Sequence, residues 1–145
     1  MQYLEAKPRY IFLDYDGTLV GFNSVIDKAS PDPELYEMLN RLSSDPANHL
    51  VLISGRKHDT LEQWFGHLNV GLIAEHGAWQ RHSGADWESL PLLTDRWKQE
   101  VKTVLERYTD RTPGSFIEDK SYSMVWHFRK VEAGLGELRV NEIIN

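Results

Sequence analysis

The sequence of 145 residues contains no cysteine, which excludes disulfide bonds, thiolate catalysis and zinc sites with cysteine ligands. It also contains no apolar run long enough to cross a bilayer, and its first ten residues have no signal-peptide pattern. Lysines and arginines form no run, and the net charge of −6 argues against nucleic-acid binding. We therefore expect a cytoplasmic protein whose partners include neither a membrane nor a nucleic acid.

A hydrophobic content of 41% and a charged content of 26% are typical of one globular domain with room for a small insertion. Apolar runs and helical spacing predict alternating elements in the first half: strand 10–14, a helix that Pro31-Asp32-Pro33 starts and Ser43–Pro46 ends, strand 49–53, helix 58–67 and strand 70–74. This order of elements predicts a parallel sheet with right-handed crossovers.

The pattern changes after Gly77, where two tryptophan-containing segments flank a Ser-Gly-Ala-Asp turn and predict a hairpin. The elements predicted after it are a helix at about 95–108, strands at 116–118 and 124–128, and a helix from Val131 onward. These elements are typical of an α+β insertion. We expect residues 1–93 to belong to the sheet-containing core and residues 94–145 to the insertion.

Two aspartates follow directly on the first predicted strand, in the run Asp14-Tyr15-Asp16-Gly17-Thr18. In extended backbone, residues i and i+2 face the same way, so both carboxylates can address one ligand. Two such charges repel each other unless a cation or a shared proton compensates. Gly17 permits a sharp turn, and Thr18 offers a hydroxyl to a phosphate. The run predicts a magnesium-dependent phosphoryl-transfer site, although a plain Asp-Gly turn would also fit.

Two further polar clusters follow predicted strands, at residues 54–56 (Ser-Gly-Arg) and 75–77 (Glu-His-Gly). The position of Ser54 before a predicted helix fits an anion site at the helix N-terminus, and it fits a simple helix cap as well. Because parallel strands end at one edge of a sheet, we expect Asp14, Ser54 and Glu75 to converge there. The scattered histidines predict no zinc site.

The second half contains two polar runs at the ends of the predicted strands, Glu118-Asp119-Lys120 and His127-Phe128-Arg129. In a strand, Glu118 shares a face with Lys120, and His127 shares a face with Arg129. Such a mixture of acceptors and donors suits the hydroxyl groups of a polyol. A solvated sheet face with cross-strand ion pairs explains the pattern equally well.

Residues 14–18 and 53–56 resemble motifs I and II of the haloacid dehalogenase (HAD) superfamily. The runs at 75–77, 118–120 and 126–129 resemble trehalose-6-phosphate phosphatases, most closely the phosphatase domains that are fused to trehalose-phosphate synthases. The resemblance implies a HAD-like Rossmannoid α/β fold with a parallel sheet and an α+β cap, incomplete at the C-terminus. It also implies hydrolysis of a sugar phosphate, trehalose 6-phosphate, in trehalose biosynthesis, and a fused synthase domain as partner.

The resemblance further implies a role for each matching residue. Asp14 would be the nucleophile that forms an aspartyl-phosphate, and Asp16 would be the general acid and base. The Asp14 carboxylate and the Asp16 backbone carbonyl would bind Mg²⁺. The other matching residues divide between two ligand groups: Thr18, Ser54 and Gly55 for the phosphate, and Arg56, Glu75, His76, Glu118, Lys120, His127 and Arg129 for the sugar.

The superfamily also uses a lysine from motif III and an acidic pair from motif IV, and this sequence supplies neither. We therefore expect the 145 residues alone to hydrolyse little or no substrate. Two alternatives stay open. The chain could belong to a phosphatase for another sugar phosphate, or to a non-catalytic, regulatory domain that binds a sugar phosphate and is attached to a synthase.

Overall fold

The computed structural model describes residues 5–21, 29–91 and 93–145. The chain forms two compact units, Met1–Pro91 and Leu92–Asn145, and each is described by itself. No helix in the described ranges is both long enough and apolar enough to pass through a membrane.

The first unit contains a sheet whose strands lie in the order β1-β2-β3-β4-β5. Its elements are β1 (Arg9–Asp14), α1 (Pro33–Ser43), β2 (Asn48–Ile53), α2 (His58–Phe65), β3 (Gly71–Ala74), β4 (Trp79–Arg81) and β5 (Glu88–Ser89). The first three strands pair in parallel, and the last two pair antiparallel. The predicted α/β class is confirmed, and the hairpin predicted after Gly77 extends the same sheet as β4 and β5.

The start of α1 follows from its local sequence. The Asp32 side chain caps the helix by accepting a hydrogen bond from the backbone N–H of Leu35 at 2.8 Å, and Pro33 occupies the first turn. Leu35 and Leu39 then enter the apolar core of this unit. The buried members of that core come from both helices, from β2 and β3 and from the loops: Tyr15, Leu35, Leu39, Leu50, Leu52, Leu61, Phe65, Leu68, Val70, Leu72 and Ala74.

Backbone pairing continues past the carboxyl ends of the parallel strands. The N–H of Tyr15 donates to the carbonyl of Ile53 at 3.0 Å, and the N–H of Ser54 donates to the carbonyl of Ile73 at 3.0 Å. Each loop is therefore held to the neighbouring strand where it leaves the sheet. As a result, the loops that follow β1, β2 and β3 start at the same edge of the sheet.

The second unit pairs two antiparallel strands with two helices, within the part of the chain that the structure describes. Its elements are α3 (Lys98–Asp110), β6 (Phe116–Asp119), β7 (Met124–His127) and α4 (Leu135–Ile144). The Trp126 indole N–H donates to Thr109 Oγ1 at 3.0 Å and joins β7 to α3. The Tyr108 hydroxyl donates to the carbonyl of Glu142 at 3.2 Å and joins α3 to α4.

Several helix boundaries differ from the predicted ones, and local turns explain three of the differences. Helix α2 ends at Phe65 because a tight turn follows, in which the N–H of Leu68 donates to the Phe65 carbonyl. Helix α3 begins at Lys98, whose N–H closes a turn onto the Asp95 carbonyl. Helix α4 begins after Gly134, whose φ of 85° is a backbone conformation that favours glycine.

The strand geometry that we assumed in pairing Glu118 with Lys120, and His127 with Arg129, on shared faces is wrong. Strand β6 ends at Asp119, because the N–H of Lys120 turns to donate to the Ser123 carbonyl at 3.0 Å. Strand β7 ends at His127, and Arg129 lies in an exposed turn after it. The alternation of faces that was predicted within each strand therefore does not apply to these two pairs.

Candidate active site

The loop after β1 turns sharply and presents Asp14 to solvent. The N–H groups of Leu19 and Val20 both donate to the Tyr15 carbonyl at 3.1 Å, and Gly17 at the turn has a φ of 91°. This φ lies in the left-handed region that glycine adopts without strain. The turn brings the Thr18 hydroxyl to a carboxylate oxygen of Asp14, Oδ2, at 3.2 Å. An exposed carboxylate and a hydroxyl thus lie side by side at the strand end.

Asp16 points to the loop that follows β2. The Arg56 guanidinium grips its carboxylate with two groups: Nη2 lies 2.7 Å from Oδ1, and Nε lies 3.2 Å from Oδ2. The Ser54 hydroxyl donates to Oδ2 at 3.2 Å. The side chain of Arg56 is 10% exposed and that of Asp16 is 33% exposed, so water screens this pair less than an open surface pair. Two parallel contacts of this kind fix the relative orientation of the guanidinium and the carboxylate, in addition to pairing their charges.

Ser54 neither caps α2 nor lies at its N-terminus, which corrects both interpretations drawn from the sequence. The helix begins at His58, and its capping residue is Lys57, which makes no side-chain cap. Ser54 instead begins a turn in which its Oγ accepts the N–H of Arg56 at 3.1 Å. The turn holds Ser54 at the strand end and separates it from the helix dipole.

Arg56 is also held from the side by two aromatic rings. Its guanidinium carbon lies 5.5 Å from the centre of the Tyr15 ring and 5.0 Å from the centre of the Trp64 ring. The Tyr15 ring is fully buried, and its hydroxyl donates to the Ala29 carbonyl at 2.7 Å. Burial raises the pKa of Tyr15 above its ordinary value, although the nearby Arg56 charge opposes this. The phenol therefore stays neutral and acts as a donor at physiological pH.

The loop after β3 packs onto the loop that contains Arg56. The N–H of Glu75 donates to the Arg56 carbonyl at 3.0 Å, and Glu75 and His76 have φ values of 49° and 58°. The left-handed turn places the exposed His76 ring against Gly55, where a Cβ atom would lie 2.5 Å from the ring carbon Cε1. Glu75 is buried and lies 3.5 Å from the His58 ring. The three loops therefore meet at one edge.

The donor set at this edge fits Mg²⁺. That ion takes oxygen ligands, commonly one or two carboxylates completed by water and a substrate phosphate. The exposed Asp14 carboxylate is one such ligand. The Asp16 carboxylate pairs with Arg56. Within residues 5–21, 29–91 and 93–145, histidine, aspartate and glutamate side chains form no metal-binding group of three or more.

Comparison with known proteins gives the family. The family model described as Trehalose-phosphatase matches residues 12–145. The chain belongs to the trehalose-phosphatase family. A bifunctional trehalose-6-phosphate synthase/phosphatase from Thermoproteus tenax is 40% identical over 99% of this chain. A trehalose-phosphatase from Saccharomyces cerevisiae is 40% identical over 97% of it. The resemblance to trehalose-6-phosphate phosphatases that the motifs predicted is thereby confirmed.

A solved member of the trehalose-phosphatase family has the same fold. The C-terminal domain of the Candida albicans trehalose-6-phosphate phosphatase is 39% identical, with a TM-score of 0.87 over 95% of this chain. The present chain covers 49% of that solved chain. It covers 20% of the Thermoproteus protein and 16% of the Saccharomyces protein. The sequence thus spans a part of the length of these relatives.

The remaining residues that the family resemblance singles out lie in the second unit. Glu118 accepts contacts from two side chains: His127 Nε2 lies 2.8 Å from its Oε2, and Lys120 Nζ lies 3.5 Å from its Oε1. The His127 ring stacks on Phe116 with 4.5 Å between ring centres. Arg129 is exposed in the turn after β7. The structure brings three of the four residues together, and it places Asp14, Asp16, Thr18, Ser54, Gly55, Arg56, Glu75 and His76 in the first unit.

Two aromatic residues beside the site had no assigned role from the sequence. Trp64 belongs to the apolar stripe of α2, and this pattern predicted a core residue. Tyr15 lies between the two aspartates, and nothing in the sequence gives it a role of its own. Neither position carries a sequence signal for contact with Arg56, because this contact arises only when the loop after β2 packs against the loop after β1 and against α2.

Proposed function

We propose that the protein hydrolyses trehalose 6-phosphate to trehalose and inorganic phosphate through an aspartyl-phosphate on Asp14. The observation that carries the proposal is the combination of an exposed Asp14, contacted by Thr18, with an oriented Asp16 two residues further along the chain. In a member of the trehalose-phosphatase family, we assign the first as the nucleophile and the second as the acid–base group.

The proposed reaction has two steps at these side chains. In the first, an Asp14 carboxylate oxygen forms a bond to phosphorus, the bond from phosphorus to the sugar oxygen breaks, and Asp16, which enters this step as the protonated carboxylic acid, gives that oxygen its proton. In the second, Asp16 takes a proton from water, the water oxygen bonds to phosphorus, and the bond to Asp14 breaks. The second step restores both Asp14 and Asp16 to their starting forms. Thr18 and Ser54 offer hydroxyl groups near the two carboxylates.

We include a dependence on Mg²⁺ in this proposal, with the Asp14 carboxylate and the Asp16 carbonyl as its protein ligands. The ion would supply neutralisation of the phosphoryl charge. Glu118, Lys120, His127 and Arg129 are proposed to contact the sugar. The Thermoproteus relative is named as a bifunctional synthase/phosphatase, and we propose an attached synthase domain and a cytoplasmic location for this protein as well.

The test is release of inorganic phosphate by the full-length protein, with and without Mg²⁺, from trehalose 6-phosphate and other sugar phosphates. We expect turnover of trehalose 6-phosphate that needs Mg²⁺, and a loss of at least about 10³-fold in Asp14→Asn, because that variant lacks the nucleophile. Equal turnover by the two proteins would refute the role of Asp14. Turnover of other sugar phosphates alone would refute the substrate, and binding without any turnover would indicate a regulatory domain.

The 145-residue chain belongs in the same assay. We expect it to release little phosphate, because the superfamily resemblance implies a lysine and an acidic pair that its sequence does not supply. A rate equal to that of the full-length protein would contradict this expectation. It would also mean that residues within the chain balance the phosphoryl charge.

A further inference from the structure

The contacts of Arg56 form a chain that runs from the core to the site. At one end, the guanidinium holds the Asp16 carboxylate with both Nη2 and Nε. At its side lie the rings of Tyr15 and Trp64, at 5.5 and 5.0 Å from the guanidinium carbon. An arginine near an aromatic face is stabilised by the electrostatic field of the ring. The two rings therefore limit where the guanidinium can lie.

The rings themselves are fixed by the core. Tyr15 is fully buried, and its hydroxyl bonds to the Ala29 carbonyl at 2.7 Å. Trp64 projects from α2 and packs on Tyr15 with 5.5 Å between ring centres, and it meets Phe65 edge-on at 6.3 Å. An arginine side chain has many rotamers in solution. Here fixed groups on two elements reduce that freedom before any ligand binds, and the same restriction reaches Asp16.

We propose that Trp64 is a positioning residue for the proton transfer to the leaving group: its ring holds Arg56, and Arg56 holds the carboxylate of Asp16. This inference rests on the proposed function, since it concerns the acid–base step of that reaction. Trp64 itself touches no reacting atom in this arrangement. Its proposed effect passes through the guanidinium of Arg56.

A misplaced general acid affects substrates according to their leaving groups. A sugar alkoxide needs a proton as the bond to phosphorus breaks, whereas p-nitrophenolate leaves without one. The ratio kcat/KM covers only the steps up to departure of the leaving group, so the second step, which both substrates share, does not enter it. A positioning defect at Asp16 therefore lowers kcat/KM for the sugar phosphate and spares the aryl phosphate. A general loss of folded enzyme lowers both.

The experiment uses the full-length protein with Mg²⁺, trehalose 6-phosphate and p-nitrophenyl phosphate. Trp64→Met keeps an apolar side chain in the space but removes the ring. We expect its kcat/KM for trehalose 6-phosphate to fall about tenfold, since small misplacements of catalytic groups cost this much or more, while the value for p-nitrophenyl phosphate changes by less than about twofold. Trp64→Phe retains a ring and should recover most of the loss.

Two further variants complete the design. Tyr36→Leu is the matched control, because Tyr36 is a half-buried aromatic that packs against Phe65 and His67 from α1. It should lower thermal stability without changing the ratio of the two kcat/KM values. Arg56→Lys leaves the core intact and removes the two-group grip, so it should reproduce the selective loss even where Trp64→Met folds poorly.

Equal falls for both substrates in the Trp64 variants, or no fall in either, would overturn the inference. So would an Arg56→Lys protein with an unchanged ratio. The proposed function fails separately: wild-type protein would then release no phosphate from trehalose 6-phosphate, or Asp14→Asn would remain active. If the enzyme loses activity in Asp14→Asn but keeps the same ratio of the two kcat/KM values in the Trp64 and Arg56 variants, only the positioning role is refuted.

Discussion

Gly55 allows two loops of the site to approach each other closely because it has no side chain. A Cβ atom at this position would lie 2.5 Å from Cε1 and 2.7 Å from Nε2 of the His76 ring. The loop that contains His76 is itself left-handed at two residues that are not glycine, Glu75 and His76, a conformation that costs about 1–2 kcal/mol per residue. The hydrogen bond from Glu75 to the Arg56 carbonyl and the close approach at Gly55 help to hold this conformation.

Gly55→Ala is expected to lower the free energy of unfolding by about 1 kcal/mol, the low end for inserted methyl groups, because the His76 ring that it meets belongs to an exposed side chain. The new Cβ must displace the His76 ring or move the backbone of one loop. Urea denaturation of the single variants and of Gly55→Ala/His76→Ala measures the coupling. The alanine should cost clearly less when His76 is absent. The same cost in both backgrounds would mean that the ring does not set the space at Gly55.

At the scale of residues, the sequence predicted positions better than contacts. Apolar runs that end in polar residues predict that Asp14, Ser54 and Glu75 follow parallel strands, and simple sheet geometry then brings them to one edge. The partners of Arg56 depend on how the loop after β2 turns, which no local pattern specifies. The family resemblance suggested a sugar ligand for Arg56, and the folded chain places its guanidinium on Asp16.

Helix α2 is tied to the antiparallel part of the sheet by a small polar network. The Glu62 carboxylate accepts hydrogen bonds from Arg81 on β4 and, at 2.9 Å, from the indole N–H of Trp87. Arg81 also donates to the Gly66 carbonyl at 2.9 Å. Burial alone would raise the pKa of Glu62, but the hydrogen bonds from Arg81 and Trp87 outweigh it and lower the pKa. The folded state therefore favours the ionised carboxylate.

This network predicts that the contribution of Glu62 to the free energy of unfolding depends on pH. A carboxylate whose pKa is lower in the folded state stabilises the protein above its unfolded pKa of about 4.3, and the stabilisation is lost as the pH falls through the lower folded value. Glu62→Gln should therefore be less stable than wild type at neutral pH, and the difference should shrink below about pH 4. Denaturant midpoints across this range measure it, with the exposed Glu37→Gln on α1 as control. A difference that stays constant with pH would contradict the assignment.

At the scale of elements, the type and order of helices and strands were predictable, and their ends were less so. Helix α1 begins as predicted because Asp32 and Pro33 carry local start signals. Helix α2 also begins where it was predicted, at His58, but it ends at Phe65, two residues before its predicted limit, because a turn closes there. The strands β6 and β7 end one residue from their predicted limits, where turns close in the folded chain.

The whole molecule divides its buried apolar surface unequally between the two units. All buried members of the apolar core cluster belong to the first unit. In the second unit, Leu105 is the one buried hydrophobic side chain among the residues that the structure describes, and Val101, Val104 and Leu138 are exposed on its helices. Because buried apolar area is the main source of stability, the first unit should be the more resistant to opening.

Hydrogen exchange of the full-length protein tests this inequality. The slowest amides should lie in β2 and β3, which have a strand on both sides, and the amides of α3 and α4 should exchange faster, since local stability follows buried contacts. Leu39→Ala and Leu105→Ala each remove a buried leucine, a change that costs about 2–5 kcal/mol in a packed core. We expect the first to accelerate exchange in β2 and β3, and the second to accelerate it in α3 and α4 while leaving β2 unchanged. Acceleration of β2 by the same factor in Leu105→Ala would contradict this expectation.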